Sequence, residues 1–126
     1  MNIVDSSGWL EYFADGPHAS FFSAPLQKTA DLIVPTVTIY EVFKAVLRQR
    51  NESDALQSVA LMQQGTVVDL TSNISILAAR MSIDYHLPMA DSIILATAQV
   101  FRAILWTQDS DFKKIDGVQY IAKNTG

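Results

Sequence analysis

Short apolar runs alternate with segments of helical periodicity from one end of the chain to the other. Short apolar runs bounded by turn residues are typical of buried strands, whereas apolar residues three and four positions apart predict helices. The predicted strands cover residues 2–5, 32–34, 66–69, 103–107 and 118–121. The predicted helices begin at residues 6 and 18, cover about 38–50, 53–64 and 72–85, and begin again at 88. Strands that alternate with helices build βαβ units, so we predict one α/β domain over residues 1–126, with a mostly parallel central sheet and helices on both faces.

The last predicted helix carries an acidic residue on an apolar face. Counting from Asp91, positions i+3, i+4 and i+7 are Ile94, Leu95 and Ala98, which form one stripe of the helix. No Lys or Arg lies on that stripe. An unpaired carboxylate in such surroundings is costly, so it must be protonated, hydrogen-bonded, paired with a base or coordinated to a cation. Asp91 is therefore the first candidate for a functional residue.

Composition narrows the class of protein. Hydrophobic residues make up 49% of the 126 residues, which is enough for the packed core of one domain. The net charge of −4 creates no overall field that attracts nucleic acid, so such binding needs a local basic patch. The absence of cysteine excludes disulfides, thiolate zinc sites and a Cys nucleophile. Neither a signal peptide nor a membrane-spanning segment is recognisable, and we expect a soluble, cytoplasmic protein without membrane contact.

Further acidic residues are predicted at the same edge of the sheet as Asp91. Asp5 ends the first predicted strand, Asp109 and Asp111 follow the fourth, and Glu41 lies in the first turn of a helix. The carboxyl ends of parallel strands share one edge, where ligands bind. Carboxylates this close repel one another, and hard divalent cations with oxygen ligands neutralise them. A Mg²⁺ or Mn²⁺ ion that keeps several waters suits phosphodiester hydrolysis, because it orients the phosphate and activates a water.

Each acid also has an ordinary structural explanation. Asp5 alone is equally well explained as the N-cap of the first helix. A turn is the commoner explanation for Asp109 and Asp111 taken alone. The interaction of Asp91 with a helix N-terminus offsets only part of the cost of burying it. The joint placement of the acids favours a site more strongly than any single member does.

Glu41 has the strongest structural explanation of the set. Thr38 and Glu41 match a capping box, in which the two side chains satisfy the first backbone N–H groups of a helix. Lys44, one turn further on, could pair with the Glu41 carboxylate. Taken alone, Glu41 is better explained as a capping residue than as a ligand.

Four segments together resemble the PIN domain, and in particular the small VapC-like toxin ribonucleases. In chain order they are IVDSS at residues 3–7, TIYEV at 38–42, LPMADSIILATA at 87–98 and LWTQDSDF at 105–112. The resemblance covers essentially the whole chain. It implies a Mg²⁺- or Mn²⁺-dependent endoribonuclease that is homodimeric. It further implies a small cognate VapB-like antitoxin, whose tail occupies the catalytic groove and holds the enzyme inactive.

The same resemblance assigns roles to particular residues. The acidic quartet that binds metal and carries catalysis is Asp5, Glu41, Asp91 and Asp109. Asp111 is an auxiliary candidate, and the choice between Asp109 and Asp111 as the fourth ligand stays open. Thr107 is expected to orient the site by hydrogen bonding, with Ser6 in support.

Two groups of basic residues form the candidate RNA-binding patch. Lys44 and Arg48 share the helix face of Glu41, and Lys113 and Lys114 follow the last acidic pair. Cations at these positions would contact the phosphates of an RNA substrate. For any one of them, a solvated helix face is the commoner explanation.

Three rival functions remain open from the sequence. A phosphotransfer protein of receiver or haloacid-dehalogenase type also uses acids at strand ends, but the second acid of a D-x-D signature is missing after Asp5. A catalytically silent interaction module could keep the same fold. A non-toxin RNA-processing nuclease of the PIN class would share the motifs. Metal-dependent RNA cleavage would exclude the first two.

Overall fold

A parallel sheet forms the centre of the protein in the computed structural model, which describes residues 1–123. Residues 124–126, the end of the predicted domain, lie outside the described residues. Within the described part the strands are β1 (Asn2–Val4), β2 (Ile33–Pro35), β3 (Thr66–Val68), β4 (Ile104–Thr107) and β5 (Gln119–Tyr120). β4 pairs with β1 and β5, β2 pairs with β3, and all three pairings are parallel. A parallel bridge between Asn2 and Leu32 joins the two parts in the order β3-β2-β1-β4-β5, so the predicted parallel sheet is confirmed.

Helices cover both faces of this sheet, as predicted. Over residues 1–123 they are α1 (Ser6–Phe13), α2 (Ala19–Leu26), α3 (Thr36–Gln49), α4 (Glu52–Met62), α5 (Ser72–Tyr85) and α6 (Met89–Phe101). Neighbouring residues of a strand point to opposite faces. Accordingly, Ile3 packs in one core cluster with residues of α5 and α6, whereas Val4 packs in a second cluster with residues of α1 to α4. None of the helices in the described part is long and apolar enough to cross a membrane.

The start of α3 differs from the prediction. The helix begins at Thr36, with Pro35 as its N-cap, so Thr38 already lies within its first turn. The Thr38 hydroxyl donates to the carbonyl of Pro35 at 2.6 Å instead of capping the helix. The predicted capping box of Thr38 and Glu41 is wrong, and Glu41 lies in the second turn rather than the first.

The ends of α4 differ from the prediction by one or two residues, whereas α5 has the predicted bounds. Thr71 caps α5 by accepting a hydrogen bond from the Ile74 backbone N–H at 3.2 Å. α4 begins at Glu52 because the Asn51 side chain accepts from the Asp54 backbone N–H. These caps satisfy backbone donors that the first helical turn leaves free.

Candidate active site

The predicted acids meet where the order of the strands reverses. From β1 the chain builds the sheet outward through β2 and β3, and it then returns to add β4 and β5 on the other side of β1. Such a switch point leaves a crevice at the carboxyl ends of the two central strands. Asp5 follows β1 directly, and Asp109 lies just beyond the end of β4. The fold thus brings the first and last predicted acids together from opposite ends of the sequence.

Asp5 is buried, with 2% of its surface exposed, and its carboxylate accepts several hydrogen bonds. The donors are the Gly8 backbone N–H at 2.9 Å, the Ser7 hydroxyl at 2.8 Å and the Thr107 hydroxyl at 2.6 Å. Burial raises the pKa of Asp5 to about 6, although the hydrogen bonds from Thr107, Gly8 and Ser7 lower it. Asp5 therefore caps α1 and also faces the acidic crevice, so the two explanations of this residue are compatible.

Asp91 lies where the charges of the other acids converge. It is in the first turn of α6 and only partly buried, whereas Ile94, Leu95 and Ala98 are buried as the stripe predicted. Burial raises its pKa to about 7, with further contributions from the negative charges of the remaining acids: Asp109, Asp5, Glu41 and Asp111. The four other predicted acids thus lie within electrostatic reach of this carboxyl group.

Three of the acids bring their oxygens close enough to share one cation. Carboxylate oxygens of Asp91, Asp109 and Asp111 all lie within 4.8 Å of one another. These donors are hard oxygens, which Mg²⁺ and Mn²⁺ prefer. No basic side chain within residues 1–123 neutralises them, because the ion pair found there joins Arg50 to Asp54. The donor set therefore fits a hard divalent cation, and it includes both Asp109 and Asp111.

Glu41 reaches the site from α3 and is held there by a residue of α1. Its Oε1 atom accepts a hydrogen bond from the Ser6 hydroxyl at 2.5 Å. The predicted pairing of Glu41 with Lys44 is not formed in the described part of the chain. The Lys44 ammonium lies instead over the ring of Tyr40, 5.6 Å from its centroid. Ser6 thus links the first and second acidic segments.

Thr107 connects β1, β4 and the loop after β4. It is fully buried, and its Oγ1 atom donates to Asp5 while accepting the Asp109 backbone N–H at 2.9 Å. The Asp109 carboxylate in turn accepts the Asp111 backbone N–H at 2.9 Å and caps a short 3₁₀ turn, Ser110–Phe112. This chain of hydrogen bonds fixes both acids of the loop relative to Asp5. The turn-capping explanation of Asp109 therefore holds alongside its place in the cluster.

Sequence reasoning missed three residues that support the site. The Ser7 hydroxyl donates to both carboxylate oxygens of Asp5. The Gly8 backbone N–H also donates to the Asp5 carboxylate, which thereby caps α1. Gln108 is buried, lies 3.4 Å from the Ser7 carbonyl through its Nε2 atom, and has its Oε1 atom 3.3 Å from Nδ1 of His18. The predicted N-cap role of Asp5 could have identified the Gly8 N–H, because an N-cap side chain accepts from the backbone two or three residues further on. Nothing in the sequence indicates the contact between Gln108 and His18.

The predicted basic residues are all exposed and lie beside the acids in sequence. Lys44 and Arg48 follow Glu41 along α3, and Lys113 and Lys114 follow the 3₁₀ turn that holds Asp111. None of the four forms an ion pair within residues 1–123. Their charges remain available to an external anion.

This parallel α/β domain, with an acidic crevice at its switch point, belongs to the PIN domain family, whose model matches residues 3–118. A toxin–antitoxin complex from Klebsiella pneumoniae superposes with a TM-score of 0.79 at 23% identity, over 94% of this chain and 95% of that chain. The VapC20 toxin of Mycobacterium tuberculosis, described as cleaving the sarcin-ricin loop, superposes with a TM-score of 0.80 at 13% identity. The superposition covers 94% of this chain and 98% of that chain. The Rickettsia felis VapBC2 complex, bound to a promoter DNA fragment, gives 0.73 at 10% identity over 98% of both chains. Comparison with curated protein sequences gives no significant match.

Proposed function

We propose that this protein is a metal-dependent endoribonuclease of the cytoplasm and the toxin of a VapBC-type toxin–antitoxin pair. The observation that carries the proposal is the convergence of five carboxylates at the switch point of the sheet. Folding brings these charges together at an energetic cost, and no basic side chain of the described residues offsets it. A divalent cation bound between the carboxylates would offset this repulsion.

The residues assigned to bind metal and carry catalysis are Asp5, Glu41, Asp91 and Asp109, with Asp111 as an auxiliary ligand. Mg²⁺, or Mn²⁺ in its place, would orient the RNA phosphate, activate a water for attack and stabilise the leaving oxygen. The chain itself sets the directions of the carboxylates. Thr107 holds Asp5 and Ser6 holds Glu41, so these two acids need little rearrangement on binding.

We assign the exposed basic residues near the acids to contacts with the RNA backbone. Lys44, Arg48, Lys113 and Lys114 would contact phosphates on either side of the cleaved bond, which a protein with a net charge of −4 needs. Neutralising a phosphate contact should weaken RNA binding to a similar extent for all sequences and reduce its salt dependence.

Cleavage of cellular RNA by the purified, antitoxin-free protein tests the enzymatic part of the proposal. Total RNA is incubated with Mg²⁺, with Mn²⁺ and with EDTA, using the wild-type protein, Asp91→Asn and the control Asp84→Asn. Asp84 is an exposed acid on α5 and lies outside the acidic cluster. We expect discrete fragments that need metal, persist with Asp84→Asn and disappear with Asp91→Asn. Cleavage in EDTA, or full activity of Asp91→Asn, would contradict the assignment.

Expression in cells tests the toxin part. Without an antitoxin, the wild-type protein should arrest growth and Asp91→Asn should not. Growth arrest by Asp91→Asn would separate toxicity from RNA cleavage and contradict this part of the proposal.

The protein is further proposed to form a homodimer. Ile76 and Ile83 are seven residues apart on α5, so they lie on one face of the helix, and they are 58% and 76% exposed. We call these two residues the α5 face. Apolar side chains grouped on a surface in this way mark protein interfaces more often than isolated ones do.

A further inference from the structure

Tyr40 is the most exposed aromatic side chain within residues 1–123, at 63%. It directly precedes Glu41 on α3, so the two residues are neighbours along the backbone of one helix. The other aromatic residues of this region, such as Trp9 and Phe22, are buried in the core. A single exposed aromatic residue needs no explanation by itself, but this one borders a proposed RNA-cleaving centre.

Two basic residues continue from Tyr40 along the same side of α3. Lys44 is one turn further on, at i+4, and Arg48 follows at i+8, so the three side chains form a stripe. The Lys44 ammonium lies 5.6 Å from the centre of the Tyr40 ring, a favourable cation–π distance. Neither basic residue has an ion-pair partner among the described residues. An aromatic surface and two uncompensated positive charges therefore lead away from the acidic site.

This combination matches the chemistry of single-stranded RNA. Unpaired bases stack on aromatic rings, and the adjoining phosphates are contacted by Lys and Arg. Bases within a duplex already stack on each other and are not free to do so. Tyr40 and Lys44 themselves line an apolar groove between α3 and α4, but Lys44 and Arg48 make the stripe cationic, which favours a polyanion over an apolar protein segment.

We propose that Tyr40, Lys44 and Arg48 form a stacking subsite for an unpaired nucleotide that flanks the cleaved bond. The Tyr40 ring stacks on the base, while Lys44 and Arg48 contact the adjoining phosphates. The subsite rests on the proposed nuclease function and restricts its substrates to RNA that is single-stranded next to the cleavage point. It places no requirement on base identity, because every base has a face that stacks.

Binding of a short, fluorescently labelled, single-stranded RNA to full-length protein tests the subsite. The measurements use the Asp91→Asn background, so that cleavage does not interfere, and compare Tyr40→Ala, Tyr40→Phe and Phe101→Ala. Phe101 is an exposed aromatic residue at the opposite end of α6 from Asp91 and serves as a matched control. We expect Tyr40→Ala to raise Kd roughly 5- to 150-fold, whereas Tyr40→Phe and Phe101→Ala leave it nearly unchanged.

A second series uses RNAs that lack one base at successive positions. The effect of Tyr40→Ala should vanish for one abasic position only, because the ring contacts a single base. Unchanged affinity of Tyr40→Ala for RNA would overturn the subsite. The subsite would also be overturned if Tyr40→Phe lost RNA affinity, or if Tyr40→Ala had the same effect at every abasic position. It would likewise be overturned if the Asp91→Asn protein bound no RNA. If RNA binding depends on Tyr40 but the wild-type protein cleaves no RNA with Mg²⁺, the nuclease proposal fails while the contact between Tyr40 and RNA stands.

Discussion

The Asp91 carboxyl group is expected to lower the stability of the metal-free protein. Its pKa is raised to about 7 in the folded protein, whereas in the unfolded chain it returns to roughly 4. Between these pH values the folded state still binds a proton that the unfolded state has released. The free energy of unfolding therefore falls as the pH rises from about 4 to about 7.

Asp91→Asn removes this penalty. In EDTA at about pH 7.5 we expect the variant to be more stable by roughly 1 to 2 kcal/mol, a value reduced because solvent reaches the site. Urea unfolding at this pH and at about pH 5 should show the difference shrinking as the pH falls. Added Mg²⁺ should stabilise the wild-type protein and not the variant, because ligand binding favours the folded state. A gain in stability that is equal at both pH values would contradict this account.

Thr107→Val isolates the contribution of one buried hydroxyl. The change keeps the shape but removes the donor to Asp5 and the acceptor for the Asp109 backbone N–H. Loss of a hydrogen bond to a metal ligand commonly lowers metal affinity or activity by roughly 10- to 100-fold. We therefore expect the rate of RNA cleavage with Mg²⁺ to fall by about that factor. Thr97→Val is the control, since the buried Thr97 hydroxyl donates within α6 to the Ile93 carbonyl. Equal activity of the two variants would exclude a special role for Thr107.

Local sequence patterns singled out the acids as candidates but not the residues that hold them, since Thr107 and Ser6 were expected only from the resemblance to the PIN domain. Asp91 was recognisable because its own helix provides the stripe that makes a carboxylate costly. The bond from Ser6 to Glu41 joins residues 35 positions apart, so no local pattern could indicate it. The pattern around Glu41 suggested Lys44 instead, because sequence reasoning counts only neighbours on the same helix.

At the scale of elements, α1 holds Asp5 in place through a close contact at Gly8. A methyl group added to Gly8 would lie 2.5 Å from Cγ1 of Val4 and 2.6 Å from Cε1 of Phe22. We expect Gly8→Ala to displace α1 and lower the free energy of unfolding by roughly 1 to 3 kcal/mol. The same displacement would weaken the bond from the Gly8 N–H to Asp5, so the metal-dependent stabilisation should also decrease.

Gly16→Ala provides the comparison for this prediction. Its added methyl group would lie nearest to the end of the Glu11 side chain, which can move aside with the loss of one hydrogen bond from the His18 backbone N–H. Urea unfolding should therefore show a much smaller loss for Gly16→Ala than for Gly8→Ala. Comparable losses would mean that the contact between α1 and β1 is not tight.

The elements themselves were predictable, whereas their ends were less so. Apolar periodicity depends on burial, which extends over whole helices and strands, and it placed all the helices of the described part. Helix ends depend on which single side chain caps the first turn. At α3 the fixed backbone of Pro35 sets the start, and the Thr38 hydroxyl, which looked like a cap, bonds back to Pro35 within the first turn.

At the scale of the whole molecule, the parallel topology explains why distant acids meet. Asp5 and Asp109 are far apart in sequence, but β1 and β4 are paired and parallel, so their carboxyl ends are adjacent. This placement followed from the alternation of strands and helices alone. The strand order did not, because it depends on which strands exchange hydrogen bonds, and short apolar runs such as β1 and β4 resemble one another.

The proposed homodimer gives a prediction for the assembled protein. If the α5 face is the interface, a charge at its most exposed residue leaves an unpaired carboxylate between the protomers, which is strongly unfavourable. We expect light scattering at micromolar concentration to give twice the 13.9 kDa chain mass for the wild-type protein and the single-chain mass for Ile83→Glu. Leu61→Glu, at an exposed position of α4, should remain dimeric. Dissociation by Leu61→Glu but not by Ile83→Glu would move the interface to the other side of the sheet, and a wild-type monomer would refute the dimer.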